Sequence, residues 1–342
     1  MMNNQLICQN IGIDISKSSL MVSIAQKMLD QSVVIKSTKS FSNNLSGFKS
    51  MENWLLSLTD SSISIHYTME ATGVYYENLA YWLYENQKSV SVILAKQAKK
   101  YAESLNIKSK NDEIDAKVLA QMGVERKLSL WIPASVQMRT LKQLSRERSA
   151  LKDEQTAIKN QHHALKHSHE PDQKTLERIK KRLALIDEQI QEIEQDMKNI
   201  MDNDANLKER IDNVCTIKGV GFITAISIVA ETNGFALFHS RSQLVCYAGY
   251  NVVQKQSGTS LNAPTRISKR GNKHIRKTLY FPAISASQHD PKMRNTYQTI
   301  ANKTNIKMKG TVAIQRKLLV LIYTLFKNNQ KYDEQYSTKK TA

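Results

Sequence analysis

The chain of 342 residues has few cysteines and no long apolar run, and both shortages exclude something. Cys8, Cys215 and Cys246 stand far apart and are odd in number, so the sequence predicts neither a disulfide framework nor a Cys-x-x-Cys metal pair. The longest apolar run, Leu318 to Phe326, has nine residues, whereas a membrane helix needs about 20. With no apolar leader near Met1 either, we expect a protein of the reducing cytosol that makes no use of a membrane.

Acidic residues are scarce in only one part of the chain. Residues 214–342 hold 20 basic and 4 acidic side chains, against 14 and 12 in residues 1–134 and 15 and 15 in residues 135–213. The net charge of +18 therefore lies almost wholly in the last third. A segregated basic field favours a polyanion partner, which we expect to be nucleic acid. The alternatives are a solvated basic surface and a surface facing anionic lipid, although this region has no clear basic amphipathic helix.

The first 134 residues alternate between strand and helix patterns. The strand candidates are Ile11–Ile15, Met21–Ala25, Ser32–Ser37, Ile63–Met69 and Val90–Ala95. The helix candidates are Asn44–Leu58, Tyr75–Glu85 and Ile114–Gln121. Three antiparallel strands followed by alternating helices and strands predict an α/β domain, in which helices pack on a mixed sheet.

Residues 135–213 have a different pattern, typical of long helices. Leu144, Leu151, Ile158 and Leu165 are spaced seven apart. After a polar break containing Pro171, a second series steps alternately by three and four from Leu176 to Ile200, which is a heptad seam. This predicts an antiparallel coiled-coil hairpin that packs either on itself or on another subunit.

Residues 214–330 predict a basic, mostly helical domain, and residues 331–342 a polar tail. In the segment Ile217–Ala225, Gly219 and Gly221 lie between two apolar helical stretches, which indicates a helix-hairpin-helix element. Such glycines let backbone N–H groups approach a phosphate, whereas a plain helical turn is the alternative. We expect nucleic-acid contacts from this element and from the basic run that follows it: Lys218, Gly219, Gly221, Arg266, Lys269, Arg270, Lys273, Arg276 and Lys277.

Four carboxylates form the candidate catalytic set. Asp14 lies within an apolar strand, Glu70 ends a later strand, and Asp112 and Asp115 are three residues apart on a helix, so that they point the same way. If they converge, their oxygens suit Mg²⁺ and the metal-assisted chemistry of phosphoryl transfer. Taken singly, each is more simply a surface acid or a helix-cap residue; Asp112, for example, suits the first turn of a helix.

These residues belong to a series of motifs with a recognisable order. The N-terminal motifs are Gly12-Ile-Asp14, Glu70-Ala-Thr-Gly73 with Tyr75, and Asp112-x-x-Asp115-Ala116. The C-terminal motifs are Gly219-Val-Gly221, Tyr247-Ala-Gly249, Gln256-Ser-Gly258 and the segment Arg266–Asn272. In this order around a helical hairpin, the motifs resemble the insertion-sequence-110 family of DEDD transposases, which includes the Piv-type DNA invertases, over nearly the whole chain.

The resemblance implies a fold and a chemistry. It implies an RNase H-like domain of the RuvC type, in which Asp14, Glu70, Asp112 and Asp115 bind Mg²⁺, with Mn²⁺ able to substitute. It also implies a C-terminal transposase domain in which Ser257 attacks DNA through a transient phosphoserine; Ser260 is the nearest alternative. A serine hydroxyl is a weak nucleophile that needs activation by a base or metal, which gives the carboxylates and the serine a joint purpose.

The resemblance also implies partners. These are DNA at the ends of a mobile element and at its target, and a structured guide RNA (the bridge RNA) used by several relatives, in a prokaryotic cytosol. Base pairing would then read the sequence, as in other guided systems. The heptad hairpin, together with the need to cut four strands when two duplexes recombine, predicts a dimer in solution and a tetramer on DNA. Many relatives carry a proline soon after the Tyr-Ala-Gly motif, where this chain has Asn251-Val-Val. The sequence therefore does not predict the geometry of the loop before Ser257.

Two other functions fit parts of the sequence. A RuvC-like endonuclease that hydrolyses DNA or DNA junctions needs the four carboxylates and gives Ser257 no role. An architectural nucleic-acid-binding protein needs only the basic region, and the presence of all four carboxylates argues against it. The leading prediction is a DNA transposase or site-specific recombinase.

Overall fold

The computed structural model of the chain describes residues 5–71, 73–107, 109, 111–236, 238–257 and 261–335, with only the backbone for residues 255–257 and 261–264. The chain divides into two compact units, Met1–Pro133 and Ala134–Ala342. Within the described ranges, no helix is both long and apolar enough to cross a membrane.

The first unit is built on one mixed sheet. Its elements are β1 (Leu6–Ile15), β2 (Ser19–Met28), β3 (Val33–Ser42), α1 (Leu45–Leu56), β4 (Ile65–Glu70), α2 (Glu77–Glu85), β5 (Ser89–Ile93), α3 (Ala95–Ser104) and α4 (Asp112–Glu125). The strand order is β3-β2-β1-β4-β5, with β1 antiparallel to β2 and parallel to β4. The predicted mixed sheet with packed helices is therefore confirmed.

Strand β1 is buried on both faces because helices cover both sides of the sheet. Successive residues of a strand point to opposite faces. Ile11, Ile13 and Ile15 belong to the apolar cluster that also contains side chains of α1 and α2. The alternate residues of β1 therefore face α4, and this places Asp14 on the α4 side of the sheet.

One helix of this unit was absent from the sequence prediction. The strand predicted over Val90–Ala95 ends at Ile93, and helix α3 begins at Ala95. Helix α3 has only two buried side chains, Ala98 and Tyr101, among lysines and other polar residues. Its apolar face is therefore too narrow to show as a periodic pattern.

The second unit is mostly helical, as predicted. Its elements are α5 (Val136–Lys166), α6 (Gln173–Asp202), α7 (Ala205–Cys215), α8 (Phe222–Glu231), α9 (Arg241–Tyr247), β6 (Val252–Ser257), β7 (Leu261–Ile267), α10 (Lys273–Thr278), α11 (Tyr280–His289), α12 (Pro291–Thr304) and α13 (Lys307–Asn328). The antiparallel pair β6 and β7 forms a sheet of its own that the sequence analysis did not predict.

Helices α5 and α6 form the predicted antiparallel hairpin, and they pack on each other. Ile158 of α5 lies in one apolar cluster with Ile179, Ile186 and Ile190 of α6. Farther from the turn, Arg148 Nε donates to Glu194 Oε1 over 2.7 Å. The heptad seam is thus packed within the chain, between α5 and α6.

Candidate active site

The position of Asp14 is set by a close approach between β1 and α4. Gly12 lies two residues before Asp14 on the same face of the strand. A Cβ atom at Gly12 would overlap the backbone of Ala116 and Ala120 in α4. Only glycine allows this contact, so the helix backbone rests directly on the strand.

A buried asparagine holds the same helix farther along. The Asn10 side-chain amide donates to the carbonyl oxygen of Ala120 over 3.1 Å, and its oxygen accepts from the Thr68 hydroxyl over 3.0 Å. Gly123 leaves space for this side chain, because a Cβ atom there would overlap the Asn10 amide. Residues farther along this face of β1 therefore lie nearer the N-terminus of α4. Asn10 contacts Ala120, Gly12 contacts Ala116 and Ala120, and Asp14 is directed toward the first turn of the helix.

The first turn of α4 carries the two helix carboxylates. Asn111 caps the helix by accepting from the backbone N–H of Ile114 over 2.7 Å. Asp112, Glu113 and Asp115 follow in the first turn, where the positive end of the helix dipole favours acids. The cap thus fixes where α4 begins and holds Asp112 and Asp115 beside the end of β1.

Glu70 reaches the same edge of the sheet from a neighbouring strand. Strands β1 and β4 are parallel, and Ile13 pairs with Met69. The next positions along the two strands are Asp14 and Glu70, the last residue of β4. Thr72, in the motif after Glu70, lies outside the described residues.

The four carboxylates interact electrostatically. Burial raises the pKa of Asp14, and repulsion from Asp112, Asp115 and Glu70 raises it further, to about 6. An aspartate with no such neighbours titrates near 3.8. The predicted set is therefore brought together at one edge of the sheet, where the other three carboxylates disfavour the ionised form of Asp14.

The donor set fits a hard divalent cation by its chemistry. All four candidate ligands are carboxylates, whose oxygens such ions prefer, and a cation would relieve their repulsion. Among the described residues, however, no group of three or more His, Cys, Asp or Glu side chains is arranged to enclose an ion. The four carboxylates thus suit a metal by their chemistry and charge, but the described residues form no preformed cage.

Helix α3 adds residues that the sequence analysis missed. A groove of about 440 Å³ is lined by Glu70 and Asp115 together with Lys99 and Glu103 of α3. Lys99 is the only basic side chain among the described residues that line this groove, most of which are apolar. Asn10 and Gly123, which hold α4 against β1, were also not predicted. The one sequence feature that indicates this close packing is the set of small residues on one side of α4, namely Ala116, Ala120 and Gly123.

Ser257 ends strand β6 in the second unit. It pairs with Leu261, the first residue of β7, across the end of the β6–β7 hairpin. Gly258, Thr259 and the alternative nucleophile Ser260 lie outside the described residues, as does the Ser257 side chain. The described backbone therefore places the serine at the connected end of a two-stranded hairpin.

The base of this hairpin joins two of the sequence motifs. Ser268 N donates to the carbonyl of Asn251, and Lys269 N donates to the carbonyl of Gly249, over 2.8 and 3.1 Å. Gly249 has a φ of +76°, which glycine adopts readily. At Gly271 a Cβ atom would overlap the Tyr247 carbonyl oxygen. The Tyr-Ala-Gly segment and the basic segment thus hold each other by their backbones, without the proline found in many relatives.

A buried glutamate that sequence reasoning missed supports the same region. Glu231, at the end of α8, accepts from Arg146 of α5 through both carboxylate oxygens and from the Asn272 amide over 2.6 Å. Burial alone would raise the pKa of Glu231, but the hydrogen bonds from Arg146 and Asn272 outweigh it and leave the pKa below its ordinary value. No local pattern marks this residue, because its partners lie far away in sequence.

The predicted helix-hairpin-helix segment joins α7 to α8. Gly219 has a φ of +88° and packs against α11, where a Cβ atom would lie 2.8 Å from the Pro282 carbonyl oxygen. Gly221 caps α8, and a Cβ atom there would meet nothing within 4 Å. Lys218 pairs with Glu334 over 2.6 Å. Gly219 thus serves packing, whereas the N-terminus of α8 has open space in front of it.

The basic run divides into two groups. The side chains of Arg266, Lys269, Arg270 and Lys273 are exposed. By contrast, Arg276 Nη1 donates to the carbonyls of Ala248, Gly271 and Asn272, and Lys277 Nζ pairs with Asp153 of α5 over 2.5 Å. Four of the predicted contacts are therefore available to a polyanion, and two also support the protein's own structure.

Comparison with known proteins gives matches along most of the chain. Residues 11–169 match a model of DEDD transposases of the IS110 type, described as Transposase, and residues 211–298 match one described as Transposase IS116/IS110/IS902 family. The Pilin gene-inverting protein of Moraxella bovis is 27% identical over 323 residues, covering 93% of this chain and 98% of that protein. Its namesake from Moraxella lacunata matches to the same extent.

A third relative matches a shorter part of the chain, and one solved structure aligns along most of the chain with low similarity. The Transposase for insertion sequence element IS1111A of Coxiella burnetii is 30% identical over 132 residues, which is 37% of this chain and 36% of that protein. The crystal structure of the Aquifex aeolicus member of the Ppx/GppA family aligns over 95% of this chain and 92% of its own, with 10% identity and a TM-score of 0.23, which is too low to assign a fold.

The carboxylate-bearing α/β unit and the basic helical unit each match a transposase model, so the protein is of the transposase class. The chain belongs to the IS110 family of transposases and DNA invertases, and it is a DNA-recombining enzyme.

Proposed function

We propose that the protein exchanges DNA strands through two chemical parts, a RuvC-like carboxylate site and a serine nucleophile. The single observation that carries the proposal is the electrostatic convergence of Asp14 with Glu70, Asp112 and Asp115 at one sheet edge. The RuvC-like fold is supported by the strand order β3-β2-β1-β4-β5, with its antiparallel half followed by a parallel half.

The four carboxylates are the proposed ligands of a divalent ion, Mg²⁺, with Mn²⁺ able to substitute. When bound, such an ion lowers the pKa of a coordinated oxygen and stabilises negative charge on a phosphate. In this proposal, Asp14 and Glu70 provide the strand side of the site, and Asp112 and Asp115 the helix side. Their approach is fixed by the contact of α4 with Gly12.

Ser257 is the proposed nucleophile. Its hydroxyl loses a proton, its oxygen forms a bond to a DNA phosphorus, and the bond from that phosphorus to one deoxyribose oxygen breaks. The departing deoxyribose oxygen takes up a proton, and the reverse reaction with a hydroxyl from another strand releases the serine. The phosphodiester energy is conserved in the serine linkage, so no further reactant is needed.

The products of such an exchange are either transposed or inverted DNA. Two relatives are named for inverting a pilin gene and one for an insertion sequence element. Both outcomes follow from the same exchange with differently placed sites. We therefore propose a recombinase of a mobile element or an invertible segment acting in the prokaryotic cytosol.

The proposed parts of the chain are residues 1–134 for the carboxylate site, 135–213 for the coiled-coil hairpin and 214–330 for the serine and the basic surface. Exchange of two duplexes cuts four strands, which supports a dimer that becomes a tetramer on DNA. A guide RNA is the second proposed partner, supported by the exposed basic side chains of residues 266–273. Light scattering of the purified protein with DNA and with any co-purified RNA tests both points.

The decisive experiment traps a covalent adduct. Wild type, Ser257→Ala and Ser260→Ala are incubated with Mg²⁺, co-purified RNA and DNA carrying the ends of the element, then denatured and resolved by size. We expect an adduct with wild type and Ser260→Ala and none with Ser257→Ala. Asp115→Asn should also give none while binding DNA normally.

Cleavage without an adduct would overturn the serine mechanism. In that case the carboxylates alone would act as a metal-dependent nuclease, and Ser257→Ala would cut as fast as wild type. Loss of DNA binding in either variant would instead identify a structural residue.

A further inference from the structure

The most exposed large apolar side chain in the described part of the second unit belongs to Phe281. It lies in the first turn of α11 and is 75% exposed. Tyr280 contacts it edge to face, with ring centroids 5.2 Å apart and an angle of 76° between the rings. A single exposed apolar residue is ordinary, but the residues around Phe281 set it apart.

Phe281 lines a groove whose described lining residues are mainly apolar or basic. The groove has a volume of about 340 Å³, and Ile267, Met308 and Val312 also line it. Met308 is itself 53% exposed. Lys269, Arg276 and Lys277 border the same groove, and none of its described lining residues is acidic.

The charges of the groove differ in what they already bind. Arg276 donates to backbone carbonyls and Lys277 pairs with Asp153, so both are partly occupied within the chain. Lys269 is exposed, and its backbone is fixed in the left-handed region at a φ of +52°. Its N–H also donates to the Gly249 carbonyl over 3.1 Å. Lys269 thus has a fixed backbone and an exposed side chain, and it lines the same groove as Phe281.

An exposed aromatic ring and an exposed cation in one groove suit one ligand class, a nucleotide whose base is not stacked in a duplex. Base faces stack on aromatic rings whatever the sequence, and the phosphate of the same nucleotide pairs with a nearby cation. An apolar helix from a protein partner would use the apolar lining residues but would leave the cations of the groove without counter-charges. A fully paired duplex would offer the phosphates but no free base face.

We propose that Phe281 is a stacking platform for an unpaired base of the DNA that the protein recombines, with Lys269 contacting the phosphate of that nucleotide. The inference rests on the proposed function only in assigning the bound nucleotide to the DNA that is recombined. Strand exchange requires bases to leave one duplex before they pair in another, so unpaired nucleotides are present during the reaction.

The test compares three substitutions at Phe281 on three DNAs. Phe281→Ala, Phe281→Leu and Phe281→Trp are titrated by fluorescence anisotropy against a single strand, a duplex with a central unpaired bubble and the fully paired duplex. The exposed Leu185 of α6, which is 54% exposed, provides the matched control Leu185→Ala. Because both positions are exposed, these substitutions should leave folding intact, which thermal unfolding verifies.

We expect Phe281→Ala and Phe281→Leu to weaken binding of the single strand and the bubble by about 5- to 150-fold, the usual effect of removing one stacking aromatic residue. Phe281→Trp should bind as wild type does, and the fully paired duplex should bind all variants equally. The salt dependence should be unchanged in every Phe281 variant, because no phosphate contact is lost. A 2-aminopurine base in the bubble should be quenched by wild type and not by Phe281→Ala.

Four results would overturn the inference. Equal weakening on paired duplex would exclude base stacking, and full affinity in Phe281→Leu would show that apolarity is enough. A smaller assembly of Phe281→Ala in light scattering would make the groove an interface between copies. A loss seen with single-stranded RNA but not with DNA would assign the platform to RNA.

The inference and the proposed function fail separately. Ser257→Ala should lose the covalent adduct and keep the stacking-dependent binding. Conversely, Phe281→Ala should retain the hydroxyl nucleophile and form the adduct at DNA concentrations that saturate binding.

Discussion

Arg146 and Glu231 form a two-point ion pair between helices α5 and α8. The Nε and Nη2 atoms of Arg146 donate to the two carboxylate oxygens of Glu231 over 2.6 and 3.0 Å. The Glu231 side chain is 2% exposed and that of Arg146 is 46% exposed. Since Asn272 also donates to Glu231, this pair connects the coiled-coil hairpin with the loop that carries the basic run.

Arg146→Met should destabilise the second unit by about 3 kcal/mol, because it leaves the buried Glu231 carboxylate without its cation. Urea unfolding followed by circular dichroism measures the change. Arg182→Met is the matched control, since Arg182 lies 3.8 Å from Glu154 in an exposed pair of the same hairpin. It should cost less than about 1 kcal/mol. Equal effects of the two substitutions would contradict a special role for Glu231.

Stability of the second unit should fall in acid because of the same pair. The pKa of Glu231 is lowered in the folded protein below its ordinary value of 4.5. A carboxylate whose pKa is lower in the folded protein stabilises the fold fully at a pH above its pKa in the unfolded chain. This stabilisation is lost as the pH falls through its pKa in the folded protein. Glu231→Gln should therefore be less stable than wild type at about pH 6, and the difference should shrink as the pH falls below the ordinary value of 4.5. A constant difference across this range would show that Glu231 is not ionised in the folded state.

Asp14→Asn should stabilise the metal-free protein at neutral pH. It keeps the shape of the side chain and removes the charge that Asp112, Asp115 and Glu70 repel. We expect the midpoint of thermal unfolding in a chelator to rise by about 3 °C. Asp60→Asn is the control, because the Asp60 carboxylate accepts hydrogen bonds from Ser62 and should gain nothing.

Addition of Mg²⁺ or Mn²⁺ should make wild type more stable than Asp14→Asn, the reverse of their order in a chelator. Wild type should gain stability from either ion, as any ligand of the folded state provides it, and Asp14→Asn should gain less. An Asp14→Asn protein that is no more stable than wild type in the chelator would mean that the carboxylates are farther apart than their electrostatic coupling indicates.

Arg270→Gln and Arg276→Gln should separate nucleic-acid binding from folding. Arg270 is exposed, so its loss should lower the slope of log affinity against log salt by about 0.9 on duplex DNA and leave unfolding unchanged. Arg276 donates to three carbonyls of the loop, so its loss should cost about 2 kcal/mol of stability. The slope from anisotropy titrations and the unfolding midpoint measure the two effects. An unchanged slope with Arg270→Gln would remove it from the DNA surface.

Much of the fold followed from apolar periodicity. All five strands of the first unit were predicted because alternating or continuous apolar residues mark them, and the hairpin because its heptads are long. Helix α3 was missed because only Ala98 and Tyr101 face the core. The β6–β7 pair was missed since its sequence, with Gly258 and Pro264, has turn residues and no clear alternation.

The acidic residues of the candidate site could be predicted from the sequence, whereas the residues that hold them in position could not. Asp14 was conspicuous because a charge within an apolar strand needs a reason. The contacts that set its distance from α4 involve Asn10 and residues about 110 positions away, and Glu231 pairs with Arg146 across 85 positions. Such pairs become visible only when the chain is folded, because neither partner has a local pattern.

The bare contact between Gly12 and α4 affects how copies of this gene should be judged. A copy in which residue 12 has become alanine still encodes Asp14, Glu70, Asp112 and Asp115. Its added methyl group would push the helix off the strand and separate those acids. A genome survey that scores copies by their acidic residues alone would count this copy as intact. A survey that also requires Gly12 would identify it as a copy that encodes an inactive protein.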